Sequence, residues 1–281
     1  ELAPADKKLY ALRDVTATVD ELSLIAASIM SKKQAAGSDV IVLDVKAGSG
    51  AFMKTYEDAR RLAERMVDIG NGAGRKTYAV ISDMNQPLGL AVGNILEVKE
   101  AIGALNGRAP EDVSEACITL ASYMLLGTGR VRELPEAEEL LRKSIETGAA
   151  LNKFAEFIKA QGGDERYVYE PDRFPEAAHC CELKAETDGY VSEMLTEEVG
   201  LASLMLGGGR ETKESEIDLT AGIVFQKKIG AKVSAGDTIA MLYSGDAGKL
   251  KAGTARLKGA IRIRTEACAP LPHILGVVDK S

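Results

Sequence analysis

The spacing of apolar positions changes character several times along the chain. In ELSLIAASIMSKKQA (21–35), Leu22, Leu24, Ile25, Ile29 and Met30 recur at near-helical intervals. Asp20 reads as the N-cap of that helix and Gly37 as its stop. DVIVLDVK (39–46) is then a continuous apolar, β-branched run, the pattern of a strand buried in a parallel sheet. A loop, AGSGAFM, follows. TYEDARRLAERMVDIG (55–70) is amphipathic at helical period, KTYAVISDM (76–84) is a second strand, NQPLGLAVGN (85–94) is a loop, and ILEVKEAIGALNG continues as a helix. Strand, loop and helix, twice over, predict an α/β fold: a mixed or parallel central sheet with flanking helices. Functional loops are expected at the carboxyl ends of its strands.

From Pro110 to Gly162 the pattern is helical in three pieces, 111–126, 134–147 and 150–161. GGDERYVYEPDRFPEAA (162–178) is turn-rich and marks a boundary. Beyond it ELKAETDGYVSEML reads as strand, Asp-Gly turn, strand. TEEVGLASLMLGGG reads as a short helix with a glycine stop, and IDLTAGIVFQKKIGAKVSAGDTIAMLYSG alternates short strands with glycine-centred turns. The expectation is a central α/β lobe over 38–174 and a β-rich α+β module with one helix over 175–281.

Composition narrows the function. With 281 residues, 46% hydrophobic and 27% charged, the chain has the make-up of a globular protein. No apolar run approaches the roughly 18 residues of a membrane span. A net charge of −7 argues against a broad nucleic-acid surface and leaves room for a local basic pocket. Cys117, Cys180, Cys181 and Cys268 form no CxxC pair, zinc pattern or disulfide framework, and are expected to be reduced thiols in a cytoplasmic protein. His179 and His273 are too few for a histidine-built metal centre. The chain opens at ELAPADKKLYALRD with neither an initiator Met nor a signal peptide, which reads as a fragment, a cleaved chain, or a numbering that starts after a missing piece.

Three polar residues interrupt the first apolar segment. Ser28 and Lys32 are four apart, on one helical face one turn apart. Arg13 lies upstream, before the helix, across the Thr/Asp-rich connection Asp14 to Asp20. Taken alone, a helical Lys is usually solvated and a helical Ser often bonds its own backbone. AGSGAFM lacks the GxxxxGK[ST] pattern of a phosphate loop, so its glycines read as a tight turn.

LYALRDVTATV, SIMSKK, VLDVKAGSGAFM and SDMNQPLGLAVGN together resemble the thymidine phosphorylase and pyrimidine-nucleoside phosphorylase family, bacterial type, over essentially the whole chain. The resemblance implies a transferase for reversible phosphorolysis of pyrimidine nucleosides (uridine, thymidine, deoxyuridine), giving free base and pentose 1-phosphate in nucleoside salvage. It makes Arg13, Ser28 and Lys32 the base-binding residues, with Arg13 and Lys32 catalytic through the charge they place against the departing base. It implies K⁺ held by the main-chain oxygens of Leu88 and Ala91 and the carboxylate of Glu100, and it places Asp44 to Gly50 in a cleft wall. Phosphate is the co-substrate, and the Lys-His-Ser-Thr-Gly-Gly segment that binds it in the family has no match here. About a third of the usual chain, N-terminal to these residues, is missing from the resemblance. Residues 1–37 would then be the remnant of a small helical lobe, and 1–281 alone is expected to be inactive. The full-length protein is expected to be a cytoplasmic homodimer.

Two other readings compete. A related phosphoribosyltransferase would share the fold but use a pyrophosphate-bearing sugar and Mg²⁺, and the YALRD and SIMSK blocks count against it. DGYVSEM and GIVFQKKIGAKVSAGDTIAMLYS also resemble the barrel-sandwich hammerhead of biotinyl and lipoyl carriers, but the Asp188-Gly189 turn offers no modifiable Lys.

Overall fold

The computed structural model describes residues 3–16, 18, 21–210, 212 and 214–280. The helices are α1 (Pro4–Thr16), α2 (Leu22–Ala35), α3 (Tyr56–Gly72), α4 (Asn94–Leu105), α5 (Glu111–Gly127), α6 (Leu134–Glu146), α7 (Ala149–Ala160), α8 (Arg166–Tyr169), α9 (Thr196–Ser203) and α10 (Ala247–Ala260). The strands are β1 (Val40–Ala47), β2 (Lys76–Asp83), β3 (Ala91–Val92), β4 (His179–Lys184), β5 (Gly189–Met194), β6 (Gly222–Phe225), β7 (Lys232–Val233), β8 (Thr238–Ser244), β9 (Ile261–Arg264) and β10 (Ile274–Asp279). They fall into two units. One comprises Glu1–Asp83, Glu115–Arg142 and His273–Ser281, the other Met84–Ser114 and Lys143–Pro272.

The first unit is built on β1 and β2, which pair in parallel from Val40↔Lys76 to Ala47↔Asp83. β10 adds antiparallel to the other side of β2, so the sheet is mixed. Alternation on β1 turns Ile41, Leu43, Val45 and Ala47 into the core. α3 supplies the other half: Ala59, Leu62, Ala63, Met66, Val67 and Gly70 recur at helical spacing and are buried. Thr55 caps its N-terminus, accepting from the Asp58 amide at 3.2 Å. α2 packs against α3 and adds Ala26 and Met30 to this core. Leu22, Ile25 and Ile29 lie beside them, while Leu24 is exposed.

The second unit holds two antiparallel sheets, in order β3-β6-β8-β4 and β7-β5-β9. Its core gathers Val191, Met194, Leu206, Ile223, Phe225, Leu242 and Leu257. Among the described residues no helix is long and apolar enough to cross a membrane.

Several expectations need correction. The connection does not begin at Asp14: α1 runs on to Thr16 with Arg13 in its last turn, and it opens on Pro4 with Asp6 in its first turn, a favourable charge order. Asp20 lies outside the described residues, and Glu21 caps α2 by accepting from the Leu24 amide at 2.8 Å. The 85–94 loop contains β3, because Ala91 and Val92 pair with Val224 and Ile223. β4 and β5 do not pair with each other. Asp188 accepts from the Ala235 amide at 2.8 Å, so it braces a different turn instead of closing its own. A second helix of the C-terminal segment, α10, went unread, since its buried stripe is Gly253, Leu257 and Ala260, mostly too small to give an apolar period. Finally, β10 joins the sheet of β1 and β2, although it lies in the 175–281 stretch read as a β-rich module.

Candidate functional site

α1 and α2 bring four polar side chains together. The Lys32 ammonium donates to Ser28 Oγ at 2.8 Å, as the spacing of four residues requires, and to Asp6 Oδ2 at 2.8 Å. Ser28 is buried, whereas the Lys32 side chain is 45% exposed and reachable by a ligand. The Asp6 carboxyl is held below the ordinary aspartate range, first by the hydrogen bond from Lys32, then by one from Ser28, with the Arg13 charge adding least. Asp6 is the member the sequence reading missed. It is 26 residues from Lys32 and carries no local signal.

Arg13 is buried, and its guanidinium is engaged by the backbone. Nε donates to the Thr18 carbonyl at 3.2 Å and Nη1 to the Leu24 carbonyl at 3.2 Å. The ring of Tyr10 lies 5.3 Å from the guanidinium carbon. The group therefore tethers α1 to the start of α2 and fixes where Lys32 meets Asp6.

On the sheet of the same unit, Asp44, Lys46 and Ser82 form a closed set near the carboxyl ends of β1 and β2. Lys46 Nζ lies 2.7 Å from Asp44 Oδ2 and donates to Ser82 Oγ at 2.9 Å, and Ser82 donates to Asp44. The spacing of Asp44 and Lys46 puts both on one strand face, but the match across to Ser82 is set by register and was not readable.

In the second unit, side chains from outside the loop 86–92 surround it. Glu100 Oε1 accepts from the amides of Leu90 at 2.8 Å and Ala91 at 3.2 Å. Asp112 Oδ2 accepts from the Gly89 amide at 2.9 Å. Lys228 Nζ donates to the carbonyls of Pro87 at 2.7 Å and Gly89 at 3.0 Å and is ion-paired with Asp112. Burial lifts the Glu100 carboxyl above the ordinary glutamate range, against the pull of the Leu90 and Ala91 amides. Burial also raises Asp112, but the Lys228 ammonium and then the Gly89 amide outweigh it, so its carboxyl ends below the ordinary range.

Glu100 thus turns toward the loop that carries Leu88 and Ala91. No group of three or more His, Cys, Asp or Glu side chains among the described residues could hold a metal, so any ion here needs main-chain oxygens. The donor chemistry fits a hard monovalent cation. It consists of one desolvated carboxylate short of positive charge and carbonyls in a tight loop. Asp112 and Lys228 were missed. The first looked like an ordinary acid in a helix's first turn, the second like one of a solvated Lys pair in FQKKIG.

Residues 1–151 match the glycosyl transferase family, a/b domain, and residues 190–264 match the pyrimidine nucleoside phosphorylase C-terminal domain. The chain belongs to the glycosyl transferase family that carries these two domains, and its α/β unit and β-rich C-terminal region are those of that architecture. It is 57% identical over 243 residues to proteins named pyrimidine-nucleoside phosphorylase from Staphylococcus aureus strains USA300, NCTC 8325 / PS 47 and bovine RF122 / ET3-1. The matched stretch is 86% of this chain and 56% of each relative, so the chain spans little more than half the length of the curated relatives it matches.

Proposed function

We propose that the protein to which this chain belongs is a pyrimidine-nucleoside phosphorylase, and that α1 and α2 supply its base-binding residues. The observation that carries the reading is the Lys32–Ser28–Asp6 cluster, with a half-exposed ammonium held in one place by a buried hydroxyl and a carboxylate. In phosphorolysis, phosphate attacks the anomeric carbon and the base leaves with negative charge spread over O2, N3 and O4. Fixed cationic donors aimed at that charge stabilise the transition state more than the ground state. Lys32 supplies such a donor. Ser28 Oγ accepts from Lys32 and, with its O–H given to Asp6, keeps a lone pair that can accept from the ring N3–H. Arg13 supplies positive charge and, through Thr18 and Leu24, the geometry of the helix pair. Residues 1–37 are then the part of a small helical lobe present here, and phosphate is held by residues outside this chain.

K⁺ at Leu88, Ala91 and Glu100 belongs to the same proposal, supported by the donor chemistry of the 86–92 loop. When bound, the ion would neutralise Glu100 and tighten the loop; no chemical step runs through it. The full-length protein is proposed to be a homodimer, and the four free cysteines support a reducing, cytoplasmic setting.

The test is Lys32→Ala in the full-length protein. Loss of a charge-assisted donor to the leaving base should lower kcat/KM by roughly 10²-fold or more, about 3 kcal/mol, with little change in the KM for phosphate. Near-normal turnover would remove Lys32 from the base site.

A further inference from the structure

We propose that the Lys228 ammonium is a resident monovalent cation for the Gln86–Val92 loop, a positioning residue that organises main-chain oxygens as a bound ion would. Its three polar contacts are the carbonyls of Pro87 and Gly89 and the carboxylate of Asp112. An ammonium has three N–H donors, and all three are used. Two carbonyls and one carboxylate form an all-oxygen set of the kind a hard cation takes. The pair is well desolvated, with side chains 16% (Lys228) and 9% (Asp112) exposed, so its attraction is screened far less than that of a surface ion pair.

Lys228 reaches the loop from 141 residues away, and its backbone is fixed there. The Ile229 amide donates to Gln86 Oε1 at 3.1 Å, and the Ala231 amide donates to the Lys228 carbonyl at 3.0 Å. The loop's other polar groups are answered in the same manner. Gly89 donates to Asp112, and Leu90 and Ala91 donate to Glu100. Two carboxylates and one ammonium leave the loop with one uncompensated negative charge, on Glu100. Lys228 therefore settles the charge of Asp112 permanently, and Glu100 alone is left for an outside ion. This role of Lys228 goes beyond the proposed function and stands whether or not an ion binds at Glu100.

The test uses Lys228→Ala and thermal melts in chloride salts at equal ionic strength. Propylammonium is the fragment that the substitution deletes, and tetramethylammonium is a cation without N–H donors. Lys228→Ala should melt roughly 6 °C or more below wild type in tetramethylammonium, as expected for a desolvated carboxylate left without its partner. Propylammonium should restore at least half of that loss while leaving the wild-type melt unchanged. In a Glu100→Gln background the propylammonium effect should persist, which separates it from any potassium effect at Glu100. A Lys228→Ala protein that melts with wild type, or loses the same in both salts, overturns the proposal. If Lys228→Ala does not fold, Lys228→Met and Lys228→Met/Asp112→Asn decide. The double variant must melt above the single one, because neutralising Asp112 removes the need for the cation, and a double variant melting no higher than Lys228→Met overturns the proposal.

Discussion

Arg13 and Lys32 carry the same charge but sit differently, and that difference is measurable. Arg13 is buried and bonded to two backbone carbonyls, whereas Lys32 is half-exposed and held by an open ion pair. In the full-length protein Arg13→Ala should lower both kcat/KM, by roughly 10²-fold or more, and the melting temperature, by several degrees. Lys32→Ala should cost about as much activity with a melting shift under roughly 3 °C, because an exposed pair contributes little stability. Equal melting losses would mean that Lys32 has a structural role. Glu100 gives a pH signature. Its folded carboxyl titrates above the ordinary value of 4.5, so the folded state binds the proton more tightly and stability falls as pH rises through the window between the two. A cation at Glu100 needs the ionised form. The melting gain on exchanging lithium for potassium should therefore be absent at the acid end of that window and grow as pH rises through it. Glu100→Gln should remove the gain at every pH, and identical ion dependence in both proteins would exclude Glu100 as a ligand. At this scale only local spacing was legible. Ser28 and Lys32 are one turn apart in sequence and bond in space, while Asp6, Asp112 and Lys228 meet their partners across 23 to 141 residues, where no periodicity points.

Strong apolar periods made most elements legible. β1, β2, α2 and α3 lie within a residue or two of their expected bounds, because each buries a full face against the others. Elements with weak or shared signals were not. α10 buries small residues, β3 is two residues long, and α1 has an exposed face that includes Leu9, Leu12 and Val15. The Asp-Gly turn misled for a physical reason. Gly189 has φ +153° and opens β5 against β9, where a Cβ would lie 2.3 Å from the Arg264 carbonyl oxygen. Its glycine is needed for close backbone approach and not for a two-residue hairpin. Gly189→Ala should therefore destabilise the second unit by about 2 kcal/mol or more in denaturant titration, through both strain and clash. A cost below about 0.5 kcal/mol, as at an ordinary surface turn, would show that β5 can shift from β9 without penalty.

At the scale of the molecule, the chain passes from one unit to the other and back, leaving the first after Asp83, returning at Glu115, and returning again at His273. Linear patterning shows each element but not this exchange, since pairing partners such as β2 and β10 are separated by most of the chain. The family is shared with relatives about one and a half times this length, so the proposed activity is tested on the full-length protein. The direct measurement is a time course of uracil or thymine release from uridine or thymidine by that protein, with and without inorganic phosphate. The expected result is phosphate-dependent release of base with an equal amount of pentose 1-phosphate, and the reverse reaction from base and pentose 1-phosphate. Base release that is independent of phosphate, or no release with phosphate present, would contradict it.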